Sequence, residues 1–571
     1  MRVCYLLACI MMLSTSSSAQ KVASKYSKDQ VVIDQGQRLF ELKCAACHNF
    51  RQQGIGPSLA GVTATRNFDW LIKFIQNPKE LIENGDRQAV SLFNRYKTAM
   101  PANQDLGQPE MQALLSYINK FRIIKIEKGV QGPENSAFAS PVKDPLPLKI
   151  QKSKLSLYLE DVATAPVSDT KVPFARINDM VVLKGKRDRL FIQEMRGRLY
   201  ELRDTSFITV FDLAKERPEF VSAPGLGSGF GSYAFHPDFY DNGLFYTTHT
   251  EKPANNPSDF VYDPSIRVAI QWVVTEWKFD DPGTEIFSGS SRELLRINMP
   301  YEMHGMQQIC FDPFAKRGSP DYGLLYIALG DGGSTEHGYP QLCNSDSAMR
   351  GAILRIDPSG RNSANKKYGI PVVNPFAKMA TTKIPGELFA RGFRNPNRIS
   401  WAPDGKMLIA DIGQTNIEEI NVGVAGGNYG WPSREGTFAM NYRDKMNLVY
   451  ALPTGSYKYL SPVLQYDHDE GNAISAGFVY TGSIAALKNK YVFADIVNGR
   501  VFVADYPTFR QGHQSEIGEF NLYFNGKPGT FVQITGSAKA DLRLGVGIGN
   551  ELYLYSKVDG RIWRVSDCRG E

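Results

Sequence analysis

Leu552-Tyr-Leu-Tyr-Ser-Lys557, followed by Gly560-Arg561-Ile562-Trp563, reads as two β-type runs joined by a glycine turn. Aliphatic and aromatic side chains fill both runs, as a pleated, packed surface requires. The glycine supplies the backbone freedom of a tight hairpin. The pattern recurs at Leu190-Phe-Ile-Gln-Glu194 with Gly197-Arg198-Leu199-Tyr200, and at Tyr491-Val-Phe-Ala-Asp495 with Gly499-Arg500-Val501-Phe502. Gly323–Asp331 and Gly405–Asp411 carry looser versions. Hairpins repeated from residue 156 to 571 predict an all-β propeller, expected to have six blades. A large β-sandwich with incidental repeats is the competing architecture.

The chain ahead of this region is different. Residues 28–125 read as a small all-α domain, so the whole chain is multidomain. Val32–Lys43, Phe68–Gln76 and Pro109–Ile123 place apolar residues at helical spacing. From 126 to 155 that spacing fades into Pro, Lys and Ser, which predicts a linker. Residues 1–19 combine Arg2, a short apolar run and a small-residue site ending at Ala19, the pattern of a secretory signal peptide. The expected location is therefore periplasmic or otherwise exported, with no transmembrane anchor. The formal charge of +6 over 571 residues, without a basic tract, gives no reason to expect a nucleic-acid partner. Of seven cysteines, Cys4 and Cys9 fall in the signal. Cys310, Cys343 and Cys568 leave room for at most one disulfide in that region, with the pair open.

Cys44-Ala-Ala-Cys47-His48 is the C-x-x-C-H pattern of covalent haem c attachment. Two thiols add to the haem vinyl groups, and the adjacent His48 ligates the iron. A redox dithiol would lack the histidine and would sit in a βαβ context. The second axial ligand should be Met or His. Met100, in Ala99-Met100-Pro101 between two helices, is the first candidate, and Met111 competes from within a helix. Gly36-x-x-Leu39-Phe40, the haem motif, Gly56-Pro57-Ser58-Leu59 and Ala99-Met100-Pro101 together resemble class I cytochromes c. That resemblance implies that the Pro57 carbonyl steers His48.

The β region contains Ala234-Phe-His236-Pro-Asp-Phe239, Gly330-Asp331-Gly332, Gly392-Phe-Arg394-Asn395-Pro396, Ala410-Asp-Ile-Gly413-Gln414 running to Glu419, and Gly426-Gly-Asn428-Tyr429-Gly-Trp431-Pro432. These stretches resemble the soluble quinoprotein sugar dehydrogenases, the glucose/sorbosone dehydrogenase-like propellers that bind pyrroloquinoline quinone (PQQ) and calcium (Ca2+). The resemblance implies that His304 is the catalytic base and that Arg394 and Asn395 contact the quinone. It implies that the carbonyls of Gly413 and Gln414 hold calcium, and that Glu419 serves a second, structural calcium. His236 is read as a turn residue, and Asp467-His468-Asp469 as a loop rather than a metal cluster.

Three departures from that family stand out. Val497 replaces a quinone-binding Lys, Gly227 replaces a Gln, and Met303 stands where an Asp partner of the base is expected. A tricarboxylate needs at least two facing cations. Lys557 is therefore assigned to replace the absent Lys, and Arg543 to pair with Arg394. The expected function is oxidation of a sugar or related alcohol at PQQ, with electrons passing to haem c and then to a periplasmic acceptor. The alternative is a non-catalytic propeller, as in hedgehog-interacting proteins, carrying an electron-transfer cytochrome.

Overall fold

The computed structural model describes residues 25–570 apart from 46–47, 51–55, 97–99, 122–139, 224, 226, 254–255, 344, 379–382, 444–445, 454–458 and 476. The signal expected at 1–19, Cys47 and much of the expected linker lie outside the described residues.

The N-terminal region is helical, with Gln30–Lys43, Phe68–Gln76, Pro78–Glu83, Arg87–Tyr96 and Gln108–Ile118 as its longer elements. Asn67 caps the helix Phe68–Gln76 by accepting from the backbone N–H groups of Asp69 and Trp70 at 2.8 and 3.3 Å. The last helix is shorter than its apolar spacing predicts. Asn119 N–H turns back to the Leu115 carbonyl, and Phe121 N–H to that of Ile118. Phe40, Leu71, Ile75, Met111, Leu114 and Ile118 form one buried cluster between these helices.

The remainder is built from antiparallel four-strand meanders. Residues 177–212, 230–299, 306–391 and 396–467 each supply one sheet of four strands. A nine-stranded sheet holds two further four-strand runs. Its order is Phe478–Val479, Lys490–Ala494, Val501–Asp505, Gly518–Phe524, Gln151–Thr164, Arg561–Gly570, Leu552–Ser556 and Leu542–Val546, with Lys527–Pro528 as a ninth strand on Gly518–Phe524. Gln151–Thr164 pairs parallel with Gly518–Phe524 and antiparallel with Arg561–Gly570. This strand begins inside the stretch expected to be linker. Its first residues, Gln151-Lys-Ser-Lys154, are polar and mostly exposed, so no apolar pattern marks them.

The repeated hairpins form as the sequence predicts. Gly197, Gly499 and Gly560 all adopt positive φ at their turns. Inner strands such as Leu325–Leu329 are buried along their whole length because neighbouring sheets cover both faces. Trp272, Leu295, Ile327 and Leu354, from two successive sheets, share one apolar cluster.

The meander geometry also decides where chemistry can gather. In an antiparallel unit, the start of the first strand and the end of the second lie at one edge of the sheet. Arg176, Gly227, His304 and Arg394 immediately precede first strands. Met195, Asp331, Gly413 and Lys557 immediately follow second strands. Residues from distant parts of the chain therefore occupy the same edge of their respective units. Among the described residues, no helix is long and apolar enough to cross a membrane.

Candidate active site

His304 sits in a tight turn with φ +50° just before the strand Met306–Phe311. Its Nδ1 lies 2.7 Å from Asp331 Oδ1. The same Oδ1 accepts from Gly333 N–H at 2.8 Å, and Oδ2 accepts from Trp431 Nε1 at 3.1 Å. Three fixed donors thus hold a buried carboxylate in place, and that carboxylate orients the ring. This corrects the expectation from Met303. His304 has an acid partner, supplied by the end of the next strand rather than by its chain neighbour. Burial, then the charge of Arg394, push the His304 pKa below the usual imidazole value, against the opposing pull of Asp331. The ring is therefore neutral near pH 7, as a base must be.

Arg394 is buried. Its backbone N–H donates to Asp411 Oδ2 at 3.1 Å. Nε donates to Gln414 Oε1 at 2.8 Å, and Nη1 donates to the carbonyls of Ile412 and Gly413 at 3.1 and 2.6 Å. The guanidinium lies 5.9 Å from the centre of the Trp431 ring. Asn395 N–H donates to Asp411 Oδ1 at 2.7 Å, while its own Oδ1 is buried without a hydrogen-bond partner. The loop carrying Gly413 and Gln414 is pinned by Glu435. Its Oε1 accepts from the backbone N–H groups of Gln414, Thr415, Asn416 and Ile417 at 2.7, 3.2, 3.0 and 3.1 Å.

A second group gathers around Lys557. Arg176, Arg398, Arg543 and Lys557 are all buried. Arg543 donates to the Leu542 carbonyl at 2.8 Å and lies 3.3 Å from Asp541. The charges acting on it include Asp541 and Arg398. Asp541 is held well below the usual carboxylate range by Lys539, Arg543 and Arg176, against its burial. Burial lowers Arg176 to about 10. Arg398 donates to the Gln307 carbonyl at 2.7 Å, and Gln307 Nε2 donates to the Gly227 carbonyl at 2.6 Å. Gly227 in turn lies against the backbone of Met303 and His304. Gln307 therefore reaches the segment where the family's Gln is missing, and it links the two groups.

These residues suit a polyanionic quinone. Arg176, Arg398 and Arg543 converge on Lys557, whose side-chain nitrogen meets only the Met195 sulfur and would gain a proper partner from a quinone carboxylate. Calcium suits them less well. Gly413 presents its carbonyl to the Arg394 guanidinium, whose positive charge would repel a divalent ion at that oxygen. Glu419 faces Asp411 across paired strands and accepts from Asn421 Nδ2 at 2.9 Å. Burial, together with neighbouring carboxylates, raises Glu419 to about 7. No described group of three or more His, Cys, Asp or Glu is arranged to hold a metal ion. Asp467 accepts from Leu146 N–H and His468 pairs with Glu418, so that cluster ties chain segments together. His236 Nδ1 accepts from Asp238 N–H, the turn role expected of it.

In the helical region, His48 Nδ1 lies 2.9 Å from the Pro57 carbonyl, as the sequence predicts. Nδ1–H therefore donates, and Nε2 is left to bind iron. Gly56 backs this ring so closely that a Cβ there would sit 2.4 Å from His48 Cε1. Cys44 is buried beside it, and Cys47 lies outside the described residues. Met100 is partly buried against the helical core, whereas Met111 is wholly inside that core. These features fit a c-type haem. Cys310, Cys343 and Cys568 are unbridged, so the allowed disulfide does not form.

Comparisons with known proteins agree with this division. The family model described as Glucose / Sorbosone dehydrogenase matches residues 177–517, more than half of the chain, and the Cytochrome c model matches 33–121. The HIPL2 protein of Arabidopsis thaliana is 28% identical over 327 residues, which are 48% of this chain and 43% of that protein. Quinoprotein glucose dehydrogenase B of Acinetobacter calcoaceticus is 24% identical over 303 residues, 50% of this chain and 55% of that protein. The chain thus spans about half the length of the curated relatives it matches. A glucose dehydrogenase crystal structure shares the fold at TM-score 0.50 and 17% identity, covering 71% of this chain and 99% of its own.

Proposed function

Because this chain belongs to the glucose/sorbosone dehydrogenase family and carries a cytochrome c region ahead of that domain, we propose that it is a quinohaemoprotein dehydrogenase. It oxidises a sugar or related alcohol at PQQ and passes the electrons to its own haem c. The observation that carries this reading is the His304–Asp331 pair beside Arg394, together with the buried cluster of Arg176, Arg398, Arg543 and Lys557.

PQQ supplies a two-electron acceptor carbonyl, and the haem supplies a one-electron acceptor. His304 Nε2 takes the proton of the substrate hydroxyl. Asp331 keeps the Nδ1 proton in place and stabilises the charge the ring gains. Arg394 and the Asn395 amide would hold and orient the quinone, with the Arg394 charge facing it. Lys557, Arg543 and Arg176 would face its carboxylates. His48 and Met100 would hold the haem iron. One polypeptide keeps the haem at high effective concentration for the dehydrogenase domain. The C-x-x-C-H motif and the leader at 1–19 suit a periplasmic or otherwise exported protein that delivers electrons to a separate acceptor. No step is routed through calcium.

The test is reconstitution of the haem-loaded protein with PQQ, with and without calcium, followed by a panel of sugars. The reduced haem absorption should appear only when both PQQ and a sugar are present. Failure to bind PQQ would reduce the protein to a cytochrome joined to a non-catalytic propeller, the reading that kinship with the HIPL and hedgehog-interacting proteins favours.

A further inference from the structure

Lys557 is a cation in an unusual setting. It follows the strand Leu552–Ser556 and is almost fully enclosed. Among the described residues its ammonium nitrogen has one hydrogen-bond partner, the Met195 sulfur at 3.3 Å. A thioether is a weak acceptor and cannot replace the hydration of a full charge. The charged groups around Lys557 come from four parts of the chain. Arg543 and Asp541 lie at the strand Leu542–Val546, Arg176 precedes Ile177–Leu183, and Arg398 lies in Pro396–Trp401. Three guanidinium groups thus act on it against one carboxylate.

The three arginines differ from Lys557 in one respect: each is supplied with oxygen acceptors. Arg176 donates to the carbonyls of Ser222, Gly225 and Ser228. Arg398 donates to those of Gln307, Asn397 and Asn178. Arg543 has the Leu542 carbonyl and Asp541. Arginine stays charged in nearly any surroundings, whereas lysine can shed its proton. The least-cost state of this cluster leaves Lys557 as a neutral amine until an anion arrives. Burial first, then the neighbouring guanidinium groups, drive its pKa well below the usual lysine value, in the same direction.

We propose that Lys557 is uncharged before the cofactor binds, and that it takes one proton from solvent as a PQQ carboxylate docks against it. The inference rests on the proposed function and adds a proton to its binding step. The balance is simple. Neutral lysine plus a solvent proton plus a carboxylate gives an ammonium–carboxylate pair, with no bond to carbon formed or broken. Binding must then weaken as pH rises, by about tenfold per pH unit where the free amine is neutral and the bound one charged.

Calorimetric titration of PQQ into the haem-loaded full chain at pH 8, in two buffers of different ionisation enthalpy, counts the protons. The parent should take up about one proton per PQQ beyond any taken up by Lys557→Arg, whose guanidinium is always charged. Lys557→Met should bind more weakly and also lose the uptake, and its thermal midpoint checks that it folds. PQQ binding by the parent without proton uptake overturns the inference and leaves the dehydrogenase reading standing. Equal uptake in the parent and Lys557→Arg overturns it too, because another group would then be the acceptor. If the parent does not bind PQQ at all, the proposed function falls, and this inference falls with it.

Discussion

Asp331→Asn isolates the pair at the centre of the proposed chemistry. The substitution preserves shape but removes the charge that faces His304 Nδ1 at 2.7 Å. An asparagine oxygen can still accept from the ring and from Gly333 N–H, yet its amide nitrogen must then face Trp431 Nε1, a donor to Asp331. One donor is left facing another, and the imidazole is free to take the wrong tautomer. A hydrogen bond to an ionised group is worth about 1.5–3 kcal/mol. Loss of the upper value from the transition state lowers kcat/KM by about a hundredfold. The assay is sugar-dependent reduction of the haem in PQQ-loaded protein. PQQ affinity, measured separately, should change little, because Asp331 acts through His304. The pH profile provides the second readout. Asp331 favours the charged ring, so its removal moves the acid limb of the profile to lower pH. A variant within threefold of the parent, with an unmoved acid limb, would refute the assignment of His304 as an Asp331-held base.

Three further outcomes follow from other parts of the structure. Gly56→Ala should strip haem c or change its axial ligation, read from the visible spectrum, because the new methyl group would meet His48 Cε1 at 2.4 Å; unchanged haem content and spectrum would contradict the placement of His48. Glu435→Gln should lower stability by about 2–3 kcal/mol and weaken PQQ binding, since one carboxylate oxygen serves four backbone N–H groups of residues 414–417; an unchanged thermal midpoint would count against it. His236, His249 and His304 all have pKa values lowered chiefly by burial. The unfolded chain binds protons on these rings below about pH 6.5 and the folded chain binds fewer. Their contribution is therefore complete above that pH and shrinks below it. Measured by urea midpoints at pH 7.5 and 5.0, acidification should therefore cost His249→Gln less stability than it costs the parent.

The sequence carried the local features well. Hairpins announced by Gly-Arg pairs formed because the turn chemistry lies within a few neighbouring residues. The contact of His48 with the Pro57 carbonyl was legible for the same reason, since the two are close in the chain. The acid partner of His304 was not, because Asp331 comes from the end of the following strand and only the meander brings them together. The cations around Lys557 were harder still. Arg176 and Arg398 occupy unremarked strand starts, and their convergence depends on how separate sheets are arranged. Gly413 and Gln414 illustrate a third limit. A motif marks which carbonyls are presented, but not that the Arg394 guanidinium already meets one of them. The early start of the strand Gln151–Thr164 escaped notice because its first residues face water.

That same strand bears on the order of biogenesis. It is made soon after the helical region, yet one of its two partners, Arg561–Gly570, is made only after all the intervening sheets. The seam of the β domain must wait, unsealed, while the intervening sheets assemble. Haem can be stitched to a finished N-terminal module during that interval. An organic cofactor lodged against Lys557, beside that seam, would have to wait for its closure.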